Sequence, residues 1–360
     1  MKTPFALRRR ILQSQLGAAH LTALLITRPA SWYYLTGFSG EAGALVVSRS
    51  GAVIVTDGRF TAQARQETSG VRIIQQTGAL AVSVGQLVRS TGLARVGFDA
   101  SQITVSTLAA LRRASGKRAR WIAAAGHVEG LRGRKDAAEL ARMRKAAALA
   151  DRVMGHALKI LKPGVRELEI AAEIEFQMRQ LGASGPAFET IVASGERSAY
   201  PHARATAKRL RKNELVVLDL GVILAHYCSD ITRTVVVGRA SQKIRKWHQA
   251  VQAAQWAAIE AVKAGATCGA VDAAARGVLA AQDLDQHFVH STGHGLGLEV
   301  HEDPRVAKGQ KQILEPGNVV TIEPGVYVPG VGGIRIEDDV AVHEGSTEVL
   351  TRTPRDLIEI

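Results

Sequence analysis

The run Val216–Thr234, VVLDLGVILAHYCSDITRT, places Asp219 in the middle of an apolar, strand-like stretch and Asp230 eleven positions later. An unpaired buried carboxylate costs several kcal/mol, or it takes up a proton and becomes neutral. So either the run is exposed, or something positive holds the two aspartates. A hairpin turning at Leu224–Ala225 would set Asp219 directly opposite Asp230, with Cβ atoms about 4.5–5.5 Å apart. Carboxylates that close repel strongly, and one or two divalent cations would relieve the repulsion. The plainer alternative has Asp230 capping a turn and Asp219 pointing outward. The turn lacks an Asn-Gly signal, so this register is an expectation for the structure to decide.

Other residues of ligand type lie downstream. HSTGHGLGLEVHE carries His290, His294 and His301 among glycines, and TIEPG ends an apolar run on Glu323. In GGIRIEDD the alternation turns Ile334 and Ile336 one way and Arg335 and Glu337 the other. Each has a dull reading taken alone: a surface histidine, a strand end, a structural ion pair. One imidazole and four carboxylates together make an oxygen-rich set, suited to Mn²⁺, Co²⁺ or Fe²⁺ more than to a thiolate-type zinc site. The two cysteines, Cys228 and Cys268, form no CxxC pair and exclude a disulfide scaffold.

The 360 residues predict two domains. In the first third, Leu21–Thr27, Ala44–Val47, Ala52–Thr56, Val71–Gln75 and Val96–Asp99 read as strands, and Arg59–Glu67 and Ala81–Ser90 as helices. A basic, Gly-containing stretch, Ala125–Lys135, sets the boundary near residue 130. Beyond it, helices are expected at about 136–161, 167–181, 241–263 and 269–282. Strands are expected at Glu189–Ser194, Leu215–Gly221, Ile231–Val237, Val319–Glu323, Gly325–Val328, Ile334–Glu337 and Val340–His343. The fold class is α+β: a small α/β domain over 1–130, then helices on a largely antiparallel sheet over 131–360.

Charge is divided unevenly. Residues 1–132 hold 17 Lys and Arg against 5 Asp and Glu, whereas 133–360 hold 29 against 28, so nearly all of the net +13 belongs to the first third. A basic face can serve nucleic acid or an anionic surface, but no aromatic–basic interleaving accompanies it, and no nucleic-acid partner is expected. No apolar run approaches the roughly 20 residues of a membrane span, and Gln13, Ser14 and Gln15 interrupt the start of the chain as a signal peptide. The expectation is a cytoplasmic protein without a membrane partner.

Taken together, VVLDLG–SDITRT, HSTGHGLGLEVHE, TIEPG and GGIRIEDD resemble the pita-bread metallopeptidases, a family that includes prolidase, aminopeptidase P and methionine aminopeptidase. The likeness covers most of residues 136–360, with 29 positions from His294 to Glu323 and 14 from Glu323 to Glu337. WYYLTGFSG and TDGRF are similar to the creatinase-type N-terminal domain of prolidase and aminopeptidase P, which methionine aminopeptidases lack. The resemblance implies a curved sheet under helices and two divalent ions, Mn²⁺ or Co²⁺ before Zn²⁺ or Fe²⁺. It implies that Asp219 chelates one ion, that His294 and Glu323 help bind the other, and that Asp230 and Glu337 bridge both. His202, in FETIVASGERSAYPHA, and His301 would meet the substrate, with Glu323 as proton shuttle. Arg305 and Arg335 are candidates for a substrate carboxylate. His290 is expected to be structural. Ala203 departs from the glycine common after the catalytic histidine.

The activity so implied is hydrolysis of the bond between an N-terminal residue and a following proline, as an Xaa-Pro aminopeptidase acting on proline-containing peptides, and a homodimer by analogy. An Xaa-Pro dipeptidase restricted to dipeptides is the second reading. A pita-bread binding module using the basic first domain is a third, and a metal-free creatinase-type hydrolase a fourth.

Overall fold

A computed structural model describes residues 4–360. The chain divides into two compact units, one ending at Arg132 and one running Gly133–Ile360.

The first unit is built on a six-stranded sheet in the order 72–75, 51–56, 44–48, 23–26, 95–98, 120–123. The pairings of Ala44–Ser48 with both its neighbours are antiparallel, and the outer ones are parallel. The strand Arg120–Ala123 and the helices Pro29–Thr36 and Val105–Ser115 were not anticipated. RWIA is only four residues long inside a basic run, so its alternation carries little signal. The expected linker 125–135 contains the helix His127–Arg132. Gly85, in the helix Leu80–Ser90, allows the close approach of Val105–Ser115: a Cβ there would lie 2.5 Å from Ala114 Cβ and 2.9 Å from the Leu111 carbonyl.

In the second unit the helix Ala137–Ile160 starts on a reciprocal cap, Asp136 accepting from Glu139 N while Glu139 accepts from Asp136 N. It pairs with Glu167–Gln180 over a four-stranded sheet ordered 358–359, 231–237, 214–220, 191–194. Gln242–Ala261 and Cys268–Ala280 pack in a second core with strands of a five-stranded sheet ordered 302–306, 293–295, 319–322, 338–342, 347–349. The two halves repeat one design that the sequence did not disclose as a repeat. Each helix pair turns through a glycine in the left-handed region, Gly164 (φ 91°) and Gly265 (φ 90°). Gly164 N donates to the Leu210 carbonyl and Gly265 N to that of Leu314. The sheets are joined where Glu337 N donates to Thr232 O and Asp230 N to Asp339 Oδ2. The helices-on-antiparallel-sheet class expected from sequence is what forms. Among the described residues no helix is long and apolar enough to cross a membrane.

Candidate metal centre

Asp219 lies near the end of the strand Glu214–Leu220, whose partner is Ile231–Val237. The register differs from the one expected. Asp219 faces Thr232, not Asp230. The reason is the turn: Leu224 pairs with Tyr227, leaving Ala225 (φ 48°) and His226 (φ 72°) as the two left-handed residues of a tight hairpin. Moving the turn by one residue moves every pairing by two. Asp219 and Asp230 therefore stay on one face but sit diagonally, a wider spacing than a direct pair.

Asp230, His294 and Glu337 each offer a ligand atom, all within 4.8 Å of one another. His294 Nε2 is 3.8 Å from Asp230 Oδ2 and 3.5 Å from Glu323 Oε1. Asp219, Asp230, His294, Glu323 and Glu337 line one cleft of about 290 Å³, with His202, His301, Phe188, Glu189, Ile191, Arg204 and Val300. The sequence thus brings its five ligand-type residues, from four separate segments, to a single concavity.

The electrostatics of this cleft call for a cation. Burial, and then the charges of Glu337 and Asp219, push the Asp230 carboxyl well above its usual range. Burial and then Glu323 and Asp219 do the same to Glu337, and burial raises Glu323 to about 8. Burial, with His301 nearby, lowers His294 to about 4, so its imidazole is neutral at pH 7. Its Nδ1 faces the Gly295 carbonyl at 3.1 Å and so carries the proton. The unprotonated Nε2 then points a lone pair at two carboxylates. Asp219 Oδ1 and Asp230 Oδ1 are buried without a hydrogen-bond partner. Lone pairs converging on lone pairs, with orphaned carboxylate oxygens beside them, are the donor set of a divalent cation, and these residues fit one.

Hydrogen bonds behind the cleft hold this arrangement. Arg335 is buried, and it was proposed from sequence to hold a substrate carboxylate. Its fork is instead spent on the protein: Nη2 donates to Asp219 Oδ2 (2.5 Å), Nε to Thr232 Oγ1 (3.1 Å), and Nη1 to Tyr327 Oη (2.8 Å) and Pro201 O (3.2 Å). Its sequence neighbours Asp338 and Asp339 do not receive it; Asp338 pairs with Arg233 and Arg355. Tyr327 in turn lies 2.8 Å from His290 Nε2, while His290 Nδ1 meets the Ser291 carbonyl at 2.8 Å. Thr232 Oγ1 donates to Glu337 Oε2 and Thr321 Oγ1 to Glu323 Oε1 (3.3 Å). Sequence reasoning missed Tyr327, Thr232 and Thr321. Their only signal was a polar atom at an inward-facing strand position.

Arg305 is exposed on the strand Glu302–Val306 and does not line the cleft. His202 and His301 do line it, and the His301 ring packs 4.3 Å from that of His294, centroid to centroid. Burial and then His202 lower the His301 pKa. Ala203 is buried against Ile191, Ala193 and Val217.

Residues 141–344 match the model of metallopeptidase family M24, and residues 8–133 match the creatinase/prolidase N-terminal domain. An Xaa-Pro dipeptidase of Pyrococcus furiosus is 44% identical over 231 residues, 64% of this chain and 66% of that protein. The structure of an Xaa-Pro dipeptidase from Bacillus anthracis superposes with a TM-score of 0.95 at 38% identity, covering 99% of this chain and 100% of that one. An X-Pro aminopeptidase from Thermotoga maritima gives 0.91 at 33% identity, covering 98% and 99%.

Proposed function

This chain belongs to metallopeptidase family M24, and on that premise we propose that it is an Xaa-Pro dipeptidase working with two divalent cations, Mn²⁺ or Co²⁺. The dipeptidase replaces the aminopeptidase as the leading reading because an Xaa-Pro dipeptidase is 44% identical over 231 residues and a solved one 38% identical at a TM-score of 0.95, against 33% and 0.91 for the X-Pro aminopeptidase. What carries the reading is the neutral His294 Nε2 facing Asp230 and Glu323 in a cleft that also holds Asp219 and Glu337.

In this proposal Asp219, Asp230, His294, Glu323 and Glu337 would hold the cations. When bound, the cations supply a field that acidifies a water near neutral pH and draws electron density from the scissile carbonyl. Glu323 takes a proton from the attacking water and delivers it to the proline nitrogen as the C–N bond breaks. That nitrogen has no N–H in the substrate and leaves as a secondary amine, so the delivered proton is required for departure. His301 and His202, on the cleft wall, donate to the carbonyl oxygen as negative charge develops there. Arg335 aims Asp219 through a hydrogen bond rather than touching the substrate.

The test is hydrolysis of Ala-Pro and Ala-Pro-Ala by the Mn²⁺- or Co²⁺-loaded protein. Cleavage of the dipeptide well ahead of the tripeptide is expected. Cleavage of the tripeptide alone returns the aminopeptidase reading, and cleavage of neither, with metal bound, removes both.

A further inference from the structure

We propose that the buried Lys135–Glu302 ion pair positions His301, so that Lys135, away from the cleft, helps set the rate of peptide hydrolysis. This rests on the role given above to His301 as a donor to the carbonyl oxygen. Glu302 directly follows His301 and begins the strand Glu302–Val306. His301 lines the cleft, and Glu302 does not. The Glu302 side chain is instead 5% exposed and meets that of Lys135, which is 1% exposed. Lys135 Nζ donates to Glu302 Oε2 at 3.3 Å, across 167 positions of sequence. A buried ion pair adds little net stability over an apolar pair of the same volume, so stability alone does not account for it.

The Glu302 carboxylate has a second task. Its Oε1 accepts from Glu299 N at 3.0 Å, so the turn 299–302 closes on its own last side chain. Gly297 leaves the room for this: a Cβ there would lie 2.7 Å from Glu302 Oε2. Gly297 N donates to the Glu299 carbonyl, and Cys228 N donates to the Gly297 carbonyl. Between the ends of the turn lie Val300 and His301, both on the cleft wall. Held by Lys135 through one oxygen and by Glu299 through the other, the carboxylate keeps His301 from swinging. Its ring stays 4.3 Å from that of His294. Lys135 is a firm post for this contact. Its N–H donates to the Gly317 carbonyl at 2.7 Å. Gly317 (φ 92°) permits the close crossing, since a Cβ there would lie 2.8 Å from the Lys135 carbonyl oxygen. The next residue, Asp136, caps the helix Ala137–Ile160. One lysine thus ties the turn that carries His301 to the base of that helix.

The test is a double-mutant cycle at saturating Mn²⁺, read in kcat and KM on whichever of Ala-Pro and Ala-Pro-Ala the wild type cleaves. Lys135→Met strands the Glu302 carboxylate and can fail to fold. Lys135→Met/Glu302→Gln, which leaves no buried charge, is therefore measured beside it. Both are expected to lose about 10–100-fold in kcat with KM within about twofold, the signature of a misplaced transition-state donor. Lys135→Arg, which keeps a charged donor, should recover part of the loss. In a His301→Ala background the same substitutions should cost less than about twofold, because the residue they position is gone. A full-sized loss in that background, or an unchanged kcat in Lys135→Met/Glu302→Gln, overturns the assignment and leaves the peptidase reading standing. A wild type that cleaves neither peptide removes that reading, and this inference with it.

Discussion

Arg335 Nη2 lies 2.5 Å from Asp219 Oδ2, with the two side chains only 3% and 11% exposed. The pair is buried, so its partners depend on each other more than surface ions do. Removing the arginine leaves a desolvated carboxylate, which costs about 3–5 kcal/mol. Arg335→Met is therefore expected to destabilise the metal-free protein by that order in urea unfolding. Arg335→Lys keeps the charge but cannot bond Asp219, Thr232, Tyr327 and Pro201 at once. Its affinity for Mn²⁺ by calorimetry should drop about 10–100-fold. Wild-type affinity in Arg335→Lys would refute the orienting role.

Crowded carboxylates give a prediction whose sign depends on metal. Glu337→Gln removes one charge from a group that raises its neighbours' pKa values. Without cation, this variant should be as stable as wild type or more so, by about 1–2 kcal/mol, or roughly 2–8 °C in Tm. With Mn²⁺ the order should reverse, because wild type gains binding energy that the variant lacks. Thermal unfolding with chelator and with Mn²⁺ reads both arms. Identical Tm differences under the two conditions would count against a shared ligand.

Glu167 is fully buried and accepts from Ser194 N, Ser194 Oγ, Arg197 Nε, Thr206 N and Thr206 Oγ1. It fastens the segment carrying His202 to the strand Ile191–Ser194. Glu167→Ala strands five donors and should cost about 3–5 kcal/mol. Glu167→Gln preserves the shape and should cost less, yet still raise KM by loosening His202. A Glu167→Gln variant with unaltered kinetics would confine Glu167 to folding.

His248, in the helix Gln242–Ala261, is 3% exposed, and burial lowers its pKa from 6.5 to about 4. As pH falls below 6.5 the unfolded chain binds a proton that the folded one refuses, so stability declines until about pH 4. The loss for this group approaches about 3 kcal/mol. His248→Gln should show a shallower decline in urea midpoint between pH 6.5 and 4 in metal-stripped protein. Parallel pH profiles would contradict it.

The ligand-type residues were legible in the sequence because acids are costly in apolar runs. VVLDLG and TIEPG stand out from composition alone, and GGIRIEDD shows Arg335 and Glu337 sharing a face. The main helices were legible too, since their periodicity is long. The hairpin register was not. Ala225 and His226 adopt positive φ without a glycine or asparagine to announce it, and the pairing shifted by two. The strand Arg120–Ala123 was too short to show a period.

Sequence by itself determined which side chains could carry metal chemistry, because local pattern sets the cost of placing a charge in an apolar strand. Tertiary structure decided what each one faces: Arg335 on Asp219 across 116 positions, Arg204 at the cleft wall, Arg305 outside it. Such partnerships depend on how two sheets are stacked and joined. That is fixed by the packing of the whole core, and no stretch of neighbouring residues encodes it.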